Sequence, residues 1–559
     1  MTMRKVKDIL LFILTLLPIV TFGQSRNVHE RVYISTDKGS YVSGEGIGCA
    51  VYCFQLEGGN LSLSGLSSVA YLELVSSQGV VLQEKVALVE GRGGVVLRLS
   101  PDIPTGNYKL VVYTKQNRNE EGFIPYSRDI SIYNTLTNAK VEGNVEVVEG
   151  ALAASGDNTS PQTDLISVEI PQSHGTESLP VKIVSHTEES LSLNVSVYRK
   201  DALQQLPVAT FGDFVAQAKS SSPGTLTSSF IPDFEGETVQ FKSDAEGKNM
   251  ILSFPGAGSN VYISGVESGG LVSFYAGSIY GEKHAMLQIM PGYEERSHKT
   301  EAISPFIGKF DFSYPTLYLS EELNGDLVSR GVSMQVNRRF GADTLTIPLP
   351  ERGDPFLEEP DKSYLLDDYT RFHTMHEVIT EYVSNVRIRT LDGKKNFSVL
   401  FKDALGNEMF SRFATLVLLD GMPIFNHEDI LNYDPMLVKR IRIYAHSYRI
   451  SDITYEGVIC FDTYRGDIPS FPMDSTAMMF SFKGALYPEY ISGDYLSGQR
   501  AIPDYRHTLY WHPLVTIGGG DAFEFDCILP KTPGLFDVVI EGVTESGKAV
   551  YYKDSIELR

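Results

Sequence analysis

The chain has 559 residues, with 48 Lys and Arg against 70 Asp and Glu, for a net charge of −22. That balance excludes a nucleic-acid binder, whose partner's phosphates it would repel, and simple adhesion to anionic lipid. The 30 Tyr, 29 Phe and 49 Gly beside a single Trp fit many short strands joined by turns, and four Cys are too few for a disulfide scaffold.

The chain opens like an export signal. Arg4, Lys5 and Lys7 precede an apolar run from Ile9 to Phe22, and Thr21-Phe22-Gly23 offers small residues for cleavage, so residues 1–23 are expected to be removed. The run is short of the roughly 20 residues that span a bilayer, and no later stretch reaches that length, so no transmembrane segment is expected after signal removal. A soft prior of about 150 residues per domain then gives roughly three to five domains.

Residues 28–134 read as one β-sandwich. Arg31 to Lys38 leads to Tyr41 and the turn Gly44-Glu45-Gly46, where glycine supplies a positive φ. Pro104-Thr105-Gly106-Asn107-Tyr108 opens a closing strand that puts Tyr108, Leu110 and Val112 on one face. Asp37 and Lys38 read as a solvated turn, with a charged binding tip as the alternative. On an extended strand Cys49 and Cys53 lie roughly 13 Å apart, beyond the about 7 Å that a disulfide tolerates. Cys460 and Cys527 are expected as buried thiols, with a bridge between them as the competitor.

The pattern Asp37-Lys38, Tyr41, Gly44-Glu45 followed by Pro104, Gly106 and Tyr108 resembles the macroglobulin-type domains of bacterial envelope proteins. Protease traps of that kind carry a reactive thioester within Cys-x-Glu-Gln. None of the four cysteines here is followed by that pattern, so the resemblance does not imply trap chemistry.

Residues 135–164 are polar and read as a linker. Residues 165–229 read as a second small sandwich followed by an irregular segment from Gln204 to Ser229. Residues 230–350 read as a third β domain that resembles carboxypeptidase-regulatory-like domains and ends in a helical segment, with Leu323, Leu327 and Met334 at helical spacing. Its Asp244-Ala245-Glu246-Gly247-Lys248 stretch reads as a hairpin turn, since it lacks the remaining acids of a calcium loop. Residues 351–372 form an acidic linker whose exposed carboxylates have no reason to act as catalysts.

Residues 373–470 change character. Thr374 and Glu377 make a capping box that should start a helix through Val383, burying Val378, Ile379 and Tyr382. His373 and His376 have the wrong spacing for a zinc helix. An apolar run, Phe413 to Leu419, stops at the turn Asp420-Gly421; an alternating strand and a second apolar run, Val458 to Phe461, follow. The elements Leu419-Asp420-Gly421-Met422-Pro423, Ile441-Arg442-Ile443 and Gly457-Val458-Ile459 resemble the plug domain of TonB-dependent outer-membrane receptors. Only 92 residues follow Asp467, too few for a receptor barrel, so the plug-like segment is expected to have none of its own.

Residues 500–559 read as a C-terminal sandwich-like unit. Its Pro533-Gly534-Leu535-Phe536 repeats the strand-closing device near Pro104, and Trp511 beside Phe525 reads as core packing, with an aromatic ligand platform as the alternative.

Gly-x-Ser-x-Gly, a phosphate loop and zinc-spaced cysteines do not occur, so no catalytic, cofactor-binding or metal site is expected. The fold expected is mainly β: several Ig/macroglobulin-like sandwiches in series plus one small α+β plug-like domain. The resemblances imply a non-enzymatic, exported protein of the periplasm or outer membrane that binds a protein or glycan, an outer-membrane transporter or surface assembly among them. The alternatives are an accessory subunit of a TonB-linked uptake system, or a hydrolase or protease regulator that captures substrate on its sandwiches.

Overall fold

The computed structural model describes residues 28–558 apart from 138–140, 151–161, 172–177, 205, 208, 235, 257–259, 278, 291–297, 341–343, 348–358, 392, 403–407, 413, 451–452, 473–476, 493–503 and 531–532. The export signal expected at 1–23 and most of the acidic run after 350 lie outside the described residues. No helix among the described residues is long and apolar enough to cross a membrane.

The fold is mainly β. In the first sandwich a sheet of His29–Thr36, Gly46–Glu57, Asn60–Leu63 and Arg92–Arg98 packs on a five-stranded sheet that includes Val69–Ser76, Gly106–Tyr113 and Tyr126–Tyr133. Alternate residues of each strand point inward, so Cys49, Val51 and Cys53 share one core with Leu72, Val95 and Leu110. Tyr108 fixes the corner: its hydroxyl donates to the Pro104 carbonyl at 2.7 Å. Gly106 lets the chain pass close by, since a Cβ there would stand 2.4 Å from the Glu142 carbonyl oxygen.

The second sandwich corrects the serial reading. Leu191–Arg199 pairs with Thr508–Ile517 on one side and with Gly534–Thr544 on the other. Ser178–Ser185 likewise pairs with Ala522–Ile528. The segments read apart as 165–229 and 500–559 therefore build one sandwich around a shared core of Val181, Val195, Leu509, Val538 and Ile540. A third sandwich is also closed from afar, because Glu282–Ile289 pairs with Met478–Lys483. Each strand has the local pattern of a strand, but nothing local records that its partner comes from the other end of the chain.

Between those closing strands lies the α+β unit. Its main sheet runs in the order Lys362–Leu365, Val438–Ile450, Ile453–Thr463, Leu416–Leu419, Met422–Pro423. The helices Met375–Tyr382 and His427–Leu431 and a smaller sheet of Val386–Leu391, Lys394–Lys402 and Glu408–Phe410 complete it. The expected capping box is present, with the Glu377 N–H donating to Thr374 Oγ1 at 3.2 Å and the Thr374 N–H to Glu377 Oε2 at 3.0 Å.

Three further readings change. Residues 362–365, placed in the acidic linker, are the edge strand of that sheet. Asp244–Lys248 does not join a hairpin: the strands it links, Glu237–Ser243 and Asn249–Ser253, belong to different sheets. The segment read as irregular contains a helix, Phe211–Ser220, started by a Thr210–Asp213 capping box. That helix lays Phe211 and Phe214 on Tyr33 and Phe54 of the first sandwich.

The shared sandwich makes a prediction that separate domains do not. A fragment of residues 500–559 lacks its central strand Leu191–Arg199 and should show no dispersed amide resonances by NMR; a folded fragment would contradict this topology.

Candidate functional site

The macroglobulin-like motif marks a junction, not a surface turn. Asp37 is 1% exposed and Lys38 7%, so the expected solvated turn is overturned. The Asp37 carboxylate receives four donors: the Gly48 N–H at 2.9 Å, Tyr41 Oη at 2.7 Å, Lys38 Nζ at 3.0 Å and Thr508 Oγ1 at 2.7 Å. Burial alone would raise its pKa, but the adjacent Lys38 ammonium and these donors outweigh it and hold the carboxyl below its ordinary value. The same burial, with Asp37 beside it, pushes the Tyr41 phenol well up, so it stays a donor. Gly44 takes φ +92°, which turns the chain and places Glu45 beside Lys38, 3.9 Å away.

A cation from a distant segment completes the cluster. The helix Asn324–Phe340 buries a face made by Leu323 just before it and by Arg330 and Met334 within it. Gly331 lets this helix approach, since a Cβ there would lie 2.9 Å from Thr135 Oγ1. Arg330 is 2% exposed and reaches Glu45 Oε1 at 3.3 Å, Asp201 Oδ2 at 3.0 Å, the Ser40 carbonyl and His507 Nε2 at 2.9 Å. His507 Nε2 also lies 2.9 Å from Asp201 Oδ2. Burial, then the Arg330 charge, pushes the His507 imidazole down to about 4, against the opposing pull of Asp201. His507 is therefore neutral at pH 7, and the cluster sets two cations against three carboxylates.

Further polar contacts join the two sandwiches beside an apolar cluster that includes Tyr52, Val96, Trp511 and Val543. Tyr33 and Ser35 both donate to the buried Glu541 carboxylate, Asn194 Nδ2 donates to Ser35 Oγ at 3.1 Å, and Ser196 Oγ donates to the Asp37 carbonyl at 2.8 Å. Trp511 is fully buried against Gly48, where a Cβ would stand 2.8 Å from the indole ring. Phe525 stacks on Tyr510 at 4.0 Å instead of on Trp511. Beside the cluster opens a cavity of about 390 Å³, whose lining includes Lys38, Glu45, Val96, Leu99, Ile491 and His507.

The plug-like motif residues fall elsewhere and form packing. Leu419, Ile441, Ile443 and Ile459 are at most 1% exposed and share the core of the α+β unit, with Pro423 buried in the adjoining strand. Asp420 (φ +48°) and Gly421 (φ +87°) form the two-residue turn that pairs Leu419 with Met422. The Asp420 carboxylate also accepts from the Thr463 N–H at 2.7 Å and the Ile468 N–H at 2.9 Å, pinning the loop after the last strand. Gly457 takes φ +91°, and a Cβ there would stand 2.7 Å from the Val399 side chain.

All four cysteines are buried and none forms a disulfide, and burial raises the thiols of Cys49, Cys53 and Cys527. The histidines do not converge: His373, His376 and His446 are exposed, whereas His427 is buried against Phe397. No group of three or more metal-ligating side chains occurs among the described residues. Sequence reasoning missed Arg330, Asp201 and His507. The signal available was an arginine on the apolar face of the helix, between Leu327 and Met334.

No protein-family model matches the chain, and no curated protein sequence does. Solved structures of bacterial alpha-2-macroglobulins are similar. The native conformation of the Escherichia coli protein aligns over 95% of this chain and 40% of that one at 7% identity, with a TM-score of 0.25. Its trypsin-activated form gives 95% and 41% coverage at 9% identity and 0.23. The Salmonella protein reacted with methylamine gives 95% and 39% at 9% identity and 0.24. The chain thus spans about two fifths of the length of these structures.

Replacing Arg330 with methionine leaves Glu45 and Asp201 buried without their cation, and urea denaturation should show a loss of about 3–5 kcal/mol. Acid should weaken the fold through His507. Its folded pKa of about 4 lies below the unfolded value near 6.5, so between those values the unfolded chain binds more protons and stability falls as pH drops. His427 and His512, both pushed to about 4 by burial, add to this slope. The variant His507→Gln should flatten the dependence of the urea midpoint on pH between about 6.5 and 4; an unchanged slope would contradict the assignment.

Proposed function

We propose that the protein is a non-enzymatic interaction protein exported to the cell envelope, with a fused stack of sandwiches carrying a plug-like α+β unit as its docking module. The observation that carries this reading is the strand Val386–Leu391. It pairs with Lys394–Lys402 on one side only among the described residues, leaving a row of backbone donors and acceptors open to an added strand. Arg387, Arg389, Thr390 and Leu391 on it are exposed, and the Arg387 guanidinium sits 3.8 Å above the Phe410 ring. With Lys394 and Lys395 at the turn, this edge is basic in a chain whose net charge is −22, which favours an acidic extended segment as the partner.

One further feature supports the reading. The parts of the plug-like motif stand in one sheet, with the Asp420-Gly421 turn beside the third sandwich: the Gly256 N–H donates to the Asp420 carbonyl at 2.8 Å. The plug-like identity of the unit, the export step and an outer-membrane partner are parts of the proposal.

A pull-down from detergent-solubilised envelope should recover an outer-membrane protein with the wild-type chain. The double reversal Arg387→Glu and Arg389→Glu should reduce that recovery roughly tenfold, because the change repels an acidic strand without disturbing the buried core. Recovery of nothing above background, or equal recovery by both proteins, would overturn the proposal.

A further inference from the structure

The hydrogen bonds of the open strand Val386–Leu391 set which of its backbone groups face outward. The Leu400 N–H donates to the Asn385 carbonyl at 2.8 Å, one step beyond the pair of Val386 with Val399. Bonded and unbonded pairs alternate in an antiparallel ladder, so Arg387 with Ser398 and Arg389 with Asn396 are bonded pairs. Val386, Ile388 and Thr390 therefore turn their N–H and carbonyl groups to the open side. Across the ladder, the Phe397 N–H donates to His427 Nδ1 at 3.0 Å and the Val399 N–H to Ser411 Oγ at 3.1 Å, so these residues turn away from the strand too. The Val386 N–H is used by the Val383 carbonyl at 3.1 Å. Both groups of Ile388, both of Thr390 and the Val386 carbonyl stay unbonded among the described residues.

The two faces of the strand differ in chemistry. Val386 is buried in the core of the α+β unit, and Ile388 is half-buried against that core, as are Phe372 and Tyr382. Arg387, Arg389 and Leu391 alternate with them and stand on the exposed face. There Arg387 lies 3.8 Å and Arg389 5.8 Å from the centre of the Phe410 ring, and Arg389 also reaches the Ser411 carbonyl at 3.4 Å. Neither guanidinium has a carboxylate partner among the described residues.

We propose that this edge accepts an antiparallel strand with the pattern acid–apolar–acid, an inference that rests on the edge being the docking element. The central residue exchanges both backbone bonds with Ile388 and lays its side chain beside Ile388, extending the core. The two carboxylates then stand on the outer face opposite Arg387 and Arg389. Across the new seam those are unbonded pairs, whose α-carbons approach to about 4.5 Å, so their side chains meet. The exposed guanidiniums turn from the Phe410 ring to the carboxylates and gain charge-assisted bonds in place of contact with a neutral ring. Two adjacent acids would instead put one carboxylate on the inner face against Ile388, where it loses water and finds no cation.

Fluorescence anisotropy of the full chain with the labelled peptide Thr-Ser-Thr-Glu-Val-Glu-Thr-Ser-Thr tests the pattern. Binding should saturate, and the isomer with Glu-Glu-Val at its centre should bind roughly tenfold more weakly or worse. N-methylation at the valine nitrogen removes the donor to the Ile388 carbonyl and should cost roughly tenfold or more. N-methylation at the second glutamate nitrogen, which points away from the protein, should change binding less than about threefold. Arg387→Ala with Arg389→Ala should weaken the peptide roughly tenfold at an unchanged melting temperature. Equal binding of the two isomers overturns the pattern, and a reversal of the two methylation effects, the signature of a parallel strand, overturns the antiparallel register. No saturable binding of either peptide up to about 10 mM also overturns the inference. In each of these cases the pull-down from solubilised envelope, with and without the arginine reversal, still decides on the edge itself, so the two failures are told apart.

Discussion

The arrangement of this protein depends on one buried charge cluster. Asp37, Lys38 and Glu45 come from the first sandwich, Asp201, His507 and Thr508 from the two halves of the second, and Arg330 from a helix that belongs to neither. No member could be buried alone: an unpaired charge in a protein interior costs several kcal/mol. Each is tolerable only when the other segments are in place. The cluster therefore acts as a condition on assembly, since a misplaced sandwich leaves charges stranded. Apolar contacts between the same surfaces, such as Trp511 on Gly48, add burial but could slide; the bond from Thr508 Oγ1 to the Asp37 carboxylate, itself fixed by three donors of its own sandwich, cannot.

Chain order reinforces this. The strand Leu191–Arg199 is laid down early, and its neighbours Thr508–Ile517 and Gly534–Thr544 arrive last. Everything between them is an insertion, and within it the third sandwich holds the α+β unit as a further insertion. The segment at 306–308 crosses back over the first sandwich, where the Ile307 and Gly308 N–H groups donate to the buried Glu73 carboxylate. A unit carried at the innermost level of such nesting is tethered at both ends to a closed framework, and its free edges are those that the framework does not cover. Among the described residues, Val386–Leu391 is one such edge.

What could be read from the residues was local. Thr374 with Glu377 gave its helix, Asp420-Gly421 its positive-φ turn, Gly44 its turn, and the alternation around Cys49 and Cys53 a strand with both thiols inside. Two kinds of feature escaped. One was pairing between the ends of the chain, which made one sandwich look like two units. The other was compensation at a distance: Asp37-Lys38 reads as a solvated turn because the groups that make its burial tolerable, Thr508 and Arg330, lie far away in sequence. The helix Phe211–Ser220 is different. Its Thr210–Asp213 box and the spacing of Phe211, Phe214, Val215 and Ala218 were visible, and the Ser- and Pro-rich stretch after it masked them.

Hydrogen–deuterium exchange tests the central claim most directly. If the charge cluster fuses the two sandwiches into one cooperative body, amides of His29–Thr36 and Gly46–Glu57 should exchange at the same slow limit as those of Leu191–Arg199, with one common free energy of opening. Two separate limits, with the amides around Asp37 and Gly48 opening well before either sandwich core, would show that the cluster does not hold them together.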